Sequence, residues 1–198
     1  DENSEVLYVS NINGGLQEKN GEGYISKISL SGKVLDTQWA ADLHAPKGMA
    51  LSGDKLYFTD IDVVKAVSLE NGQQVARIPV PDAQFLNDLA VTRSGALYAT
   101  GMYTDRIYRI QEGTAEVFSK ASGLNRPNGI YALGDDLYVG NQNQLLHFKL
   151  NQHKPEGYSG HTGPIDGLHP VADKQFLTSD WKGRLFIQDY RKSKHQRR

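Results

Sequence analysis

A short strand-like pattern recurs along the chain at intervals of about forty residues, and this repeat restricts the possible fold more than any other feature. The pattern begins with apolar or aromatic residues, continues with a small residue and ends, in most copies, with Asn or Asp. Its copies are Leu7–Asn11, Leu56–Asp60, Leu97–Gly101, Leu137–Asn141 and Phe176–Asp180. They begin 49, 41, 40 and 39 residues apart, and the Gly-rich segment Gly14–Gly23 explains the longer first interval. Such regular spacing is typical of repeat proteins.

Further strand-like segments surround each copy of this pattern. Shorter apolar segments precede the last four copies, at Gly48–Leu51, Asp88–Val91, Gly129–Ala132 and Gly167–Pro170. Alternating segments follow the copies, at Ile25–Leu30, Val64–Leu69, Arg106–Ile110, Leu145–Leu150 and Arg184–Ile187. Fourth segments are visible at Val75–Ile78 and Ala115–Phe118. Four short antiparallel strands per repeat predict an all-β fold, a β-propeller of four-stranded antiparallel blades.

The predicted blades do not form a complete set. The first blade lacks its inner strand and the last lacks its outer strand, so about four and a half blades are present. An open ring of blades would expose two apolar faces, which soluble monomers avoid. Two explanations stay open here. Either the chain is a fragment of a larger propeller, or a second copy supplies the missing strands in a homo-oligomer.

Composition argues against several classes of partner. The net charge of the chain is −1, so no overall field attracts nucleic acid or an anionic membrane. No apolar run approaches the roughly 18 residues that a membrane helix needs. Cysteine is absent, which excludes disulfides, thiolate nucleophiles and cysteine-based zinc sites. We expect one propeller domain, residues 1–190, and a basic tail, residues 191–198, that is either simply solvated or an electrostatic arm.

The segments that enter the inner strands carry a family resemblance. They read Phe85-Leu-Asn-Asp88, Arg126-Pro-Asn-Gly129 and Pro164-Ile-Asp-Gly167. Together with Leu7–Asn11, Pro46–Gly48 and Thr178–Trp181, they resemble the SMP-30/gluconolactonase/LRE-like family, in particular its bacterial periplasmic-type members. The resemblance extends from about Leu7 to about Asp189. It implies a six-bladed propeller in a periplasmic or secreted protein, with a cytoplasmic location as the alternative.

Other propeller families match less well. The Gly-His and Trp-Asp pairs of WD40 repeats and the recurring Gly-Gly pairs of kelch repeats are absent. Tyr57–Asp60 is close to the Tyr-Trp-Thr-Asp motif of low-density-lipoprotein-receptor propellers. That motif should recur in every blade, however, and here it occurs once.

The resemblance also implies a metal site in the central channel. Asn128 and Asp166 match the family's metal ligands, and Asn87 matches the Asn that lines the substrate side. Amide and carboxylate oxygens suit a divalent cation, Ca²⁺ above all, with Zn²⁺ or Mg²⁺ as alternatives. Such a metal polarises a carbonyl and activates water, and Asp166 would also act in catalysis by accepting a proton. The implied function is hydrolysis of a lactone or ester, with a small molecule as substrate.

Simpler interpretations compete with this site. Asn and Asp also stabilise turns by bonding their own backbone, and Asp60, Asp62, Asp88 and Asp180 are predicted to have such structural roles. The family's ligand Glu has no counterpart after Asp1, and Phe85 stands where characterised lactonases carry an Arg. The rival hypothesis is therefore a non-enzymatic propeller that binds a small ligand or a protein partner.

Overall fold

The computed structural model describes residue 1 and residues 4–157, 162–172 and 175–189. Within these ranges the regular structure is entirely β-strand, arranged in five antiparallel sheets, each of which we call a blade. Blade 1 contains β1 (Val6–Asn11), β2 (Gly23–Ser29) and β3 (Val34–Leu43). Blade 2 contains β4 (Pro46–Ser52), β5 (Lys55–Asp60), β6 (Val63–Ser68) and β7 (Gln74–Pro79). Blade 3 contains β8 (Leu86–Val91), β9 (Leu97–Gly101), β10 (Arg106–Gln111) and β11 (Thr114–Ser119).

Two further blades follow in chain order. Blade 4 contains β12 (Ile130–Leu133), β13 (Asp136–Gly140), β14 (Leu145–Lys149) and β15 (Glu156–Gly157). Blade 5 contains β16 (Leu168–Ala172), β17 (Gln175–Ser179) and β18 (Leu185–Asp189). Each strand pairs with the next one along the chain within its own sheet. The predicted all-β propeller of antiparallel blades is confirmed, including the two blades that are short of a strand in the described residues. The predicted basic tail, residues 191–198, lies outside those residues.

The sequence pattern missed two outer strands. β3 is ten residues long, but its pairing with β2 is interrupted at three places, which breaks the alternation of side chains. β15 is a two-residue strand that pairs with β14, too short to leave a pattern in the sequence. Among the described residues there is no helix that could span a membrane.

Apolar side chains from neighbouring blades form the core. The ring of Tyr138 in blade 4 lies 4.6 Å from that of Phe176 in blade 5. Leu145, also in blade 4, is 5% exposed at this interface. Leu185 holds the equivalent position in blade 5, opposite Ser179 as Leu145 is opposite Gly140, yet it is 67% exposed. Among the described residues, the outer face of blade 5 is thus an uncovered apolar surface. The homo-oligomer stays a prediction.

Threonine hydroxyls connect the blades near the starts of the inner strands. Thr59, at the end of β5, donates a hydrogen bond to the carbonyl oxygen of Asn87 over 2.7 Å. Thr100, at the end of β9, donates to the carbonyl oxygen of Asn128 over 2.6 Å. Thr100 also accepts a hydrogen bond from the backbone N–H of Asp88 over 3.0 Å. The bonds to Asn87 and Asn128 fix how far their inner strands are shifted along the channel relative to the preceding blade. They therefore position the first residues of these strands.

The buried carboxylate of Asp60 joins blades 1 and 2. It accepts hydrogen bonds from the backbone N–H groups of Ala45 and His44, and Lys65 lies 2.7 Å away. Burial alone would raise the pKa of Asp60, but Lys65 and the two N–H groups hold that pKa below its usual value. The structural role predicted for Asp60 agrees with these contacts.

The substitution Thr100→Val tests the hydroxyl contact between blades 3 and 4. It leaves the Asn128 carbonyl and the Asp88 N–H without their partner, so the free energy of unfolding should fall by about 1–3 kcal/mol. Urea denaturation would measure this change. Thr114, an exposed residue of β11, supplies the control. Thr114→Val should change stability by less than about 0.5 kcal/mol, and equal losses in both variants would contradict the contact's role.

Candidate functional site

Four successive inner strands each contribute one side chain from the same position of the repeat. Lys47 and Asn87 are the second residues of β4 and β8, and Asn128 and Asp166 precede β12 and β16. The backbone of the last two residues is already paired with the second strand of its blade. Asn128 N–H donates to the Gly140 carbonyl and Asp166 N–H donates to the Ser179 carbonyl, each over 2.8 Å. Because the inner strands all start at one end of the blades, these four side chains lie at the same end of the channel.

Glycine follows three of these four positions, and at Gly48 and Gly129 the inner strands of neighbouring blades approach one another closely. A Cβ atom on Gly48 would lie 2.4 Å from the Cα atom of Asp88 in the next blade. A Cβ atom on Gly129 would lie 2.3 Å from the carbonyl oxygen of Asp166. Neither position has room for a side chain. The close approach brings groups from different blades within hydrogen-bonding distance of each other.

Asn128 and Asp166 are in direct contact. The Nδ2 atom of Asn128 donates a hydrogen bond to Oδ1 of Asp166 over 3.0 Å, joining residues 38 positions apart in the chain. Asn128 is 3% exposed, whereas Asp166 is partly exposed. The buried amide therefore holds a carboxylate that solvent can still reach. The structure brings together the two residues that the sequence analysis assigned to a metal.

Asn87 does not join this pair by a described hydrogen bond. Its Nδ2 atom lies 3.6 Å from the sulfur of Met102, a weak acceptor that is itself buried. Asn87 is partly exposed at the channel end. A ligand with a better acceptor than a thioether can compete for this amide, and the role of Asn87 in contacting a substrate stays a prediction.

The sequence analysis missed Lys47, although it occupies the same repeat position as the three predicted residues. Its Nζ atom donates to the carbonyl oxygens of Leu16 and Ala45, over 3.0 and 2.9 Å. Burial lowers the pKa of Lys47 to about 8, while the charge of Asp60 acts in the opposite direction. The signal was the alignment of Pro46-Lys-Gly48 with Arg126-Pro-Asn-Gly129, which places Lys47 at the position of Asn128.

Asp88 stands where the other three inner strands have glycine. Its Oδ1 atom accepts a hydrogen bond from the N–H of Leu89, and Oδ2 accepts one from the N–H of Ile130 in the next blade. Burial, reinforced by the charge of Asp166, raises the pKa of Asp88 to about 6, although the two N–H groups oppose the rise. Asp88 also lines a cavity of about 360 Å³ between the inner strands. The predicted structural role of Asp88 agrees with its two backbone contacts.

The donor set limits how a metal could be held. Asp166 and Asn128 offer a carboxylate and an amide oxygen, the hard donors that Ca²⁺ and Mg²⁺ prefer. Their side chains are 3.0 Å apart, so both could face one ion once the amide is turned to present its oxygen. In the part of the chain that the structure describes, however, no three His, Cys, Asp or Glu residues are grouped for metal binding. A divalent ion here would complete its coordination with oxygens from other sources.

Comparisons with known proteins bear on the fold. No protein-family model matches the chain, and no curated protein matches it. The structure of a nidogen/laminin complex superposes with a TM-score of 0.75 at 20% identity, covering 93% of this chain and 72% of that one. A catalytically inactive virginiamycin B lyase from Staphylococcus aureus with quinupristin superposes with a TM-score of 0.64 at 16% identity, covering 91% and 72%.

A designed protein shares the same architecture. The computationally designed Ika8 protein superposes with a TM-score of 0.61 at 11% identity, covering 93% of this chain and 55% of that one. At such low identities, the similarities establish the β-propeller fold and leave the function to be argued from the site. The SMP-30/gluconolactonase-like resemblance stays a prediction.

The raised pKa of Asp88 predicts a pH dependence of stability that Asp88→Asn should remove. The folded protein keeps this proton up to about pH 6, whereas the unfolded chain releases it near the ordinary value of 3.8. Folding therefore binds a proton in this range, and the contribution of Asp88 to stability falls as pH rises from about 4 to about 6. The free energy of unfolding of the wild type, relative to Asp88→Asn, should decrease by about 2–3 kcal/mol over that range.

Urea denaturation at a series of pH values measures this difference. Asp135, an exposed residue of the turn between β12 and β13, provides a control carboxylate. Asp135→Asn keeps Asp88 and should therefore retain the fall in stability between about pH 4 and about pH 6. A difference in the free energy of unfolding between wild type and Asp88→Asn that does not change with pH would contradict the raised pKa of Asp88.

Proposed function

We propose that the channel end around Asn128 and Asp166 hydrolyses a lactone or an ester. The observation that carries this proposal is the contact between a buried amide and a reachable carboxylate, contributed by two different blades. The propeller repeat repeatedly places polar groups at this position, and Lys47 and Asn87 belong to the same set. Turn formation within a single blade does not require an Asn–Asp contact between blades.

Asp166 is proposed to accept the proton of the attacking water. A carboxylate that solvent can reach is suited to bind water and act as a general base. Without an ion, the Nδ2–H group of Asn128 engages Oδ1 of Asp166 and leaves Oδ2 free for water. With an ion bound, the amide of Asn128 is proposed to turn and present its oxygen to the ion. Asn87 is proposed to donate a hydrogen bond to the substrate, in place of the weak contact with the Met102 sulfur.

A divalent cation, with Ca²⁺ as the first candidate, is part of the proposal. The carboxylate of Asp166 and the amide oxygen of Asn128 would hold it. When bound, such an ion polarises the substrate carbonyl and lowers the pKa of coordinated water. Any remaining ligands would come from water, substrate or groups beyond this pair.

The rival function, binding without catalysis, has one observation in its favour. The Asn128–Asp166 hydrogen bond pairs the two groups without a metal, and the described residues contain no group of three His, Cys, Asp or Glu that could hold one. A channel end with two amides, one ammonium and one carboxylate could bind a polar ligand as it stands. Turnover distinguishes the two functions, since a binding protein would retain the ligand unchanged.

Asp166→Asn tests the hydrolase directly. The variant keeps the size of the side chain but loses the base, so hydrolysis of a simple δ-lactone and of an aryl acetate should fall by about 10²–10⁴-fold. Proton release, measured with a pH indicator, follows both substrates. Chelation with EDTA should abolish the activity and added Ca²⁺ should restore it.

Native mass spectrometry provides a readout that does not depend on turnover. The wild type should carry a divalent ion that Asp166→Asn loses, whereas Asp135→Asn, changed at an exposed turn, should keep both the ion and the activity. Wild-type protein that is folded, carries no ion with Ca²⁺ present and hydrolyses neither substrate would contradict the proposed hydrolase and favour the binding function.

A further inference from the structure

Two aromatic rings and two cations form a continuous series of contacts at the channel end. The ring of Phe85, just before β8, stacks on that of Tyr103 with centroids 4.6 Å apart and planes at 30°. The Nζ atom of Lys47 lies 4.6 Å from the centre of the Phe85 ring. The guanidinium carbon of Arg126 lies 5.4 Å from the centre of the Tyr103 ring. We call these residues the cation–aromatic series, and they join the entrances of three inner strands.

Part of the series faces solvent rather than the core. Phe85 is 3% exposed, and its ring supports that of Tyr103. Tyr103 is 47% exposed and Arg126 is also exposed. An exposed tyrosine is well suited to ligand binding, because its ring offers a large apolar area together with a polar hydroxyl group. A ligand can reach the Tyr103 ring and the guanidinium together without moving the core.

The backbone holds Arg126 in a conformation that residues other than glycine seldom adopt. Asn125 and Arg126 have consecutive φ angles of 43° and 56°, in the left-handed region where residues other than glycine are strained. The N–H of Arg126 donates to a carboxylate oxygen of Asp105 over 2.6 Å, which stabilises this conformation. Arg126 lies two residues before Asn128, and residues in sparsely populated backbone conformations cluster at ligand sites.

The guanidinium of Arg126 has no carboxylate partner among the described ion pairs, unlike two other cations, Arg106 and Lys19. Arg106 is paired with Asp82 and Lys19 with Asp62 at the same end of the blades. Asp105 is close, but it accepts from the backbone of Arg126 rather than from its side chain. An unpaired guanidinium beside an exposed ring can bind a carboxylate in a bidentate manner while the ring stacks on an apolar group.

We propose that the cation–aromatic series is a binding site for a ligand that carries an aromatic or other planar ring and a carboxylate. The ring stacks on Tyr103, the carboxylate pairs with Arg126, and Lys47 adds positive charge from the far side of Phe85. This assignment deepens the proposed function by naming the class of substrate, and it rests on that function only for the claim that the bound molecule is hydrolysed.

Calorimetric titration with 2-naphthoate tests the site, with 2-naphthamide as the uncharged analogue. Naphthoate should bind at least about fivefold more tightly than naphthamide, because only the carboxylate pairs with the guanidinium. Arg126→Gln should remove that preference, and Tyr103→Ala should weaken both ligands by about tenfold through loss of stacking. Circular dichroism and thermal melting would verify that each variant is folded.

Arg184 and Phe186 provide a matched control. They form a cation–aromatic pair with the same 5.4 Å separation in blade 5, but Arg184 is tied to the carboxylate of Asp180. Arg184→Gln should leave naphthoate binding unchanged in protein that remains folded. Equal weakening by Arg184→Gln and Arg126→Gln, or equal affinity for naphthoate and naphthamide, would overturn the proposal.

The titration is repeated in Asp166→Asn so that the proposed ligand site and the proposed hydrolase activity are tested independently. Naphthoate binding that persists in Asp166→Asn, when no lactone or ester is hydrolysed by the wild type, would support the ligand site and reject the hydrolase. Hydrolysis without any preference for naphthoate would retain the hydrolase and reject the anionic aromatic ligand.

Discussion

The hydroxyl bonds of Thr59 and Thr100 are the contacts on which the candidate site depends. Apolar sheets packed face to face are stabilised by buried area. This stabilisation is non-directional, so it does little to fix how far one sheet is shifted along the channel relative to the next. A hydrogen bond to a carbonyl is directional, and each threonine binds the carbonyl of a channel residue in the next blade, Asn87 or Asn128. The backbones of those two residues are therefore positioned by hydrogen bonds from the preceding blade, and that of Asn128 also by pairing within its own blade.

Most of the fold could be predicted from the sequence because a propeller repeats its pattern. Copies of Leu56–Asp60 at nearly constant spacing identified the second strand of each blade, and the strands beside it followed from alternation. The pattern failed where strands pair irregularly. β3 is interrupted along its length, and β15 has two residues, so neither has the regular alternation that sequence analysis requires.

The candidate site was predicted in part, for the same reason. Asn87, Asn128 and Asp166 could be found because equivalent positions of successive blades converge, although their separation in sequence is large. Lys47 was missed because the segment Pro46-Lys-Gly48 resembles an ordinary surface turn. Tyr103 and Arg126 lie in loops, which the repeat does not constrain, and the positive φ of Arg126 has no signature in the sequence. The environment of Asp88 depends on Ile130, 42 residues away, and required the structure.

The order of the four channel residues has an electrostatic consequence that no single residue shows. Going from blade 2 to blade 5, the shared position holds an ammonium, two amides and a carboxylate, at Lys47, Asn87, Asn128 and Asp166. Positive charge therefore lies on one side of the channel end and negative charge on the other, with neutral donors between them. An anionic ligand entering this field would turn its charged end away from Asp166 and towards the cations Arg126 and Lys47. The neutral part of such a ligand is then the part presented to the carboxylate, which is the orientation that hydrolysis of an uncharged ester or lactone group requires.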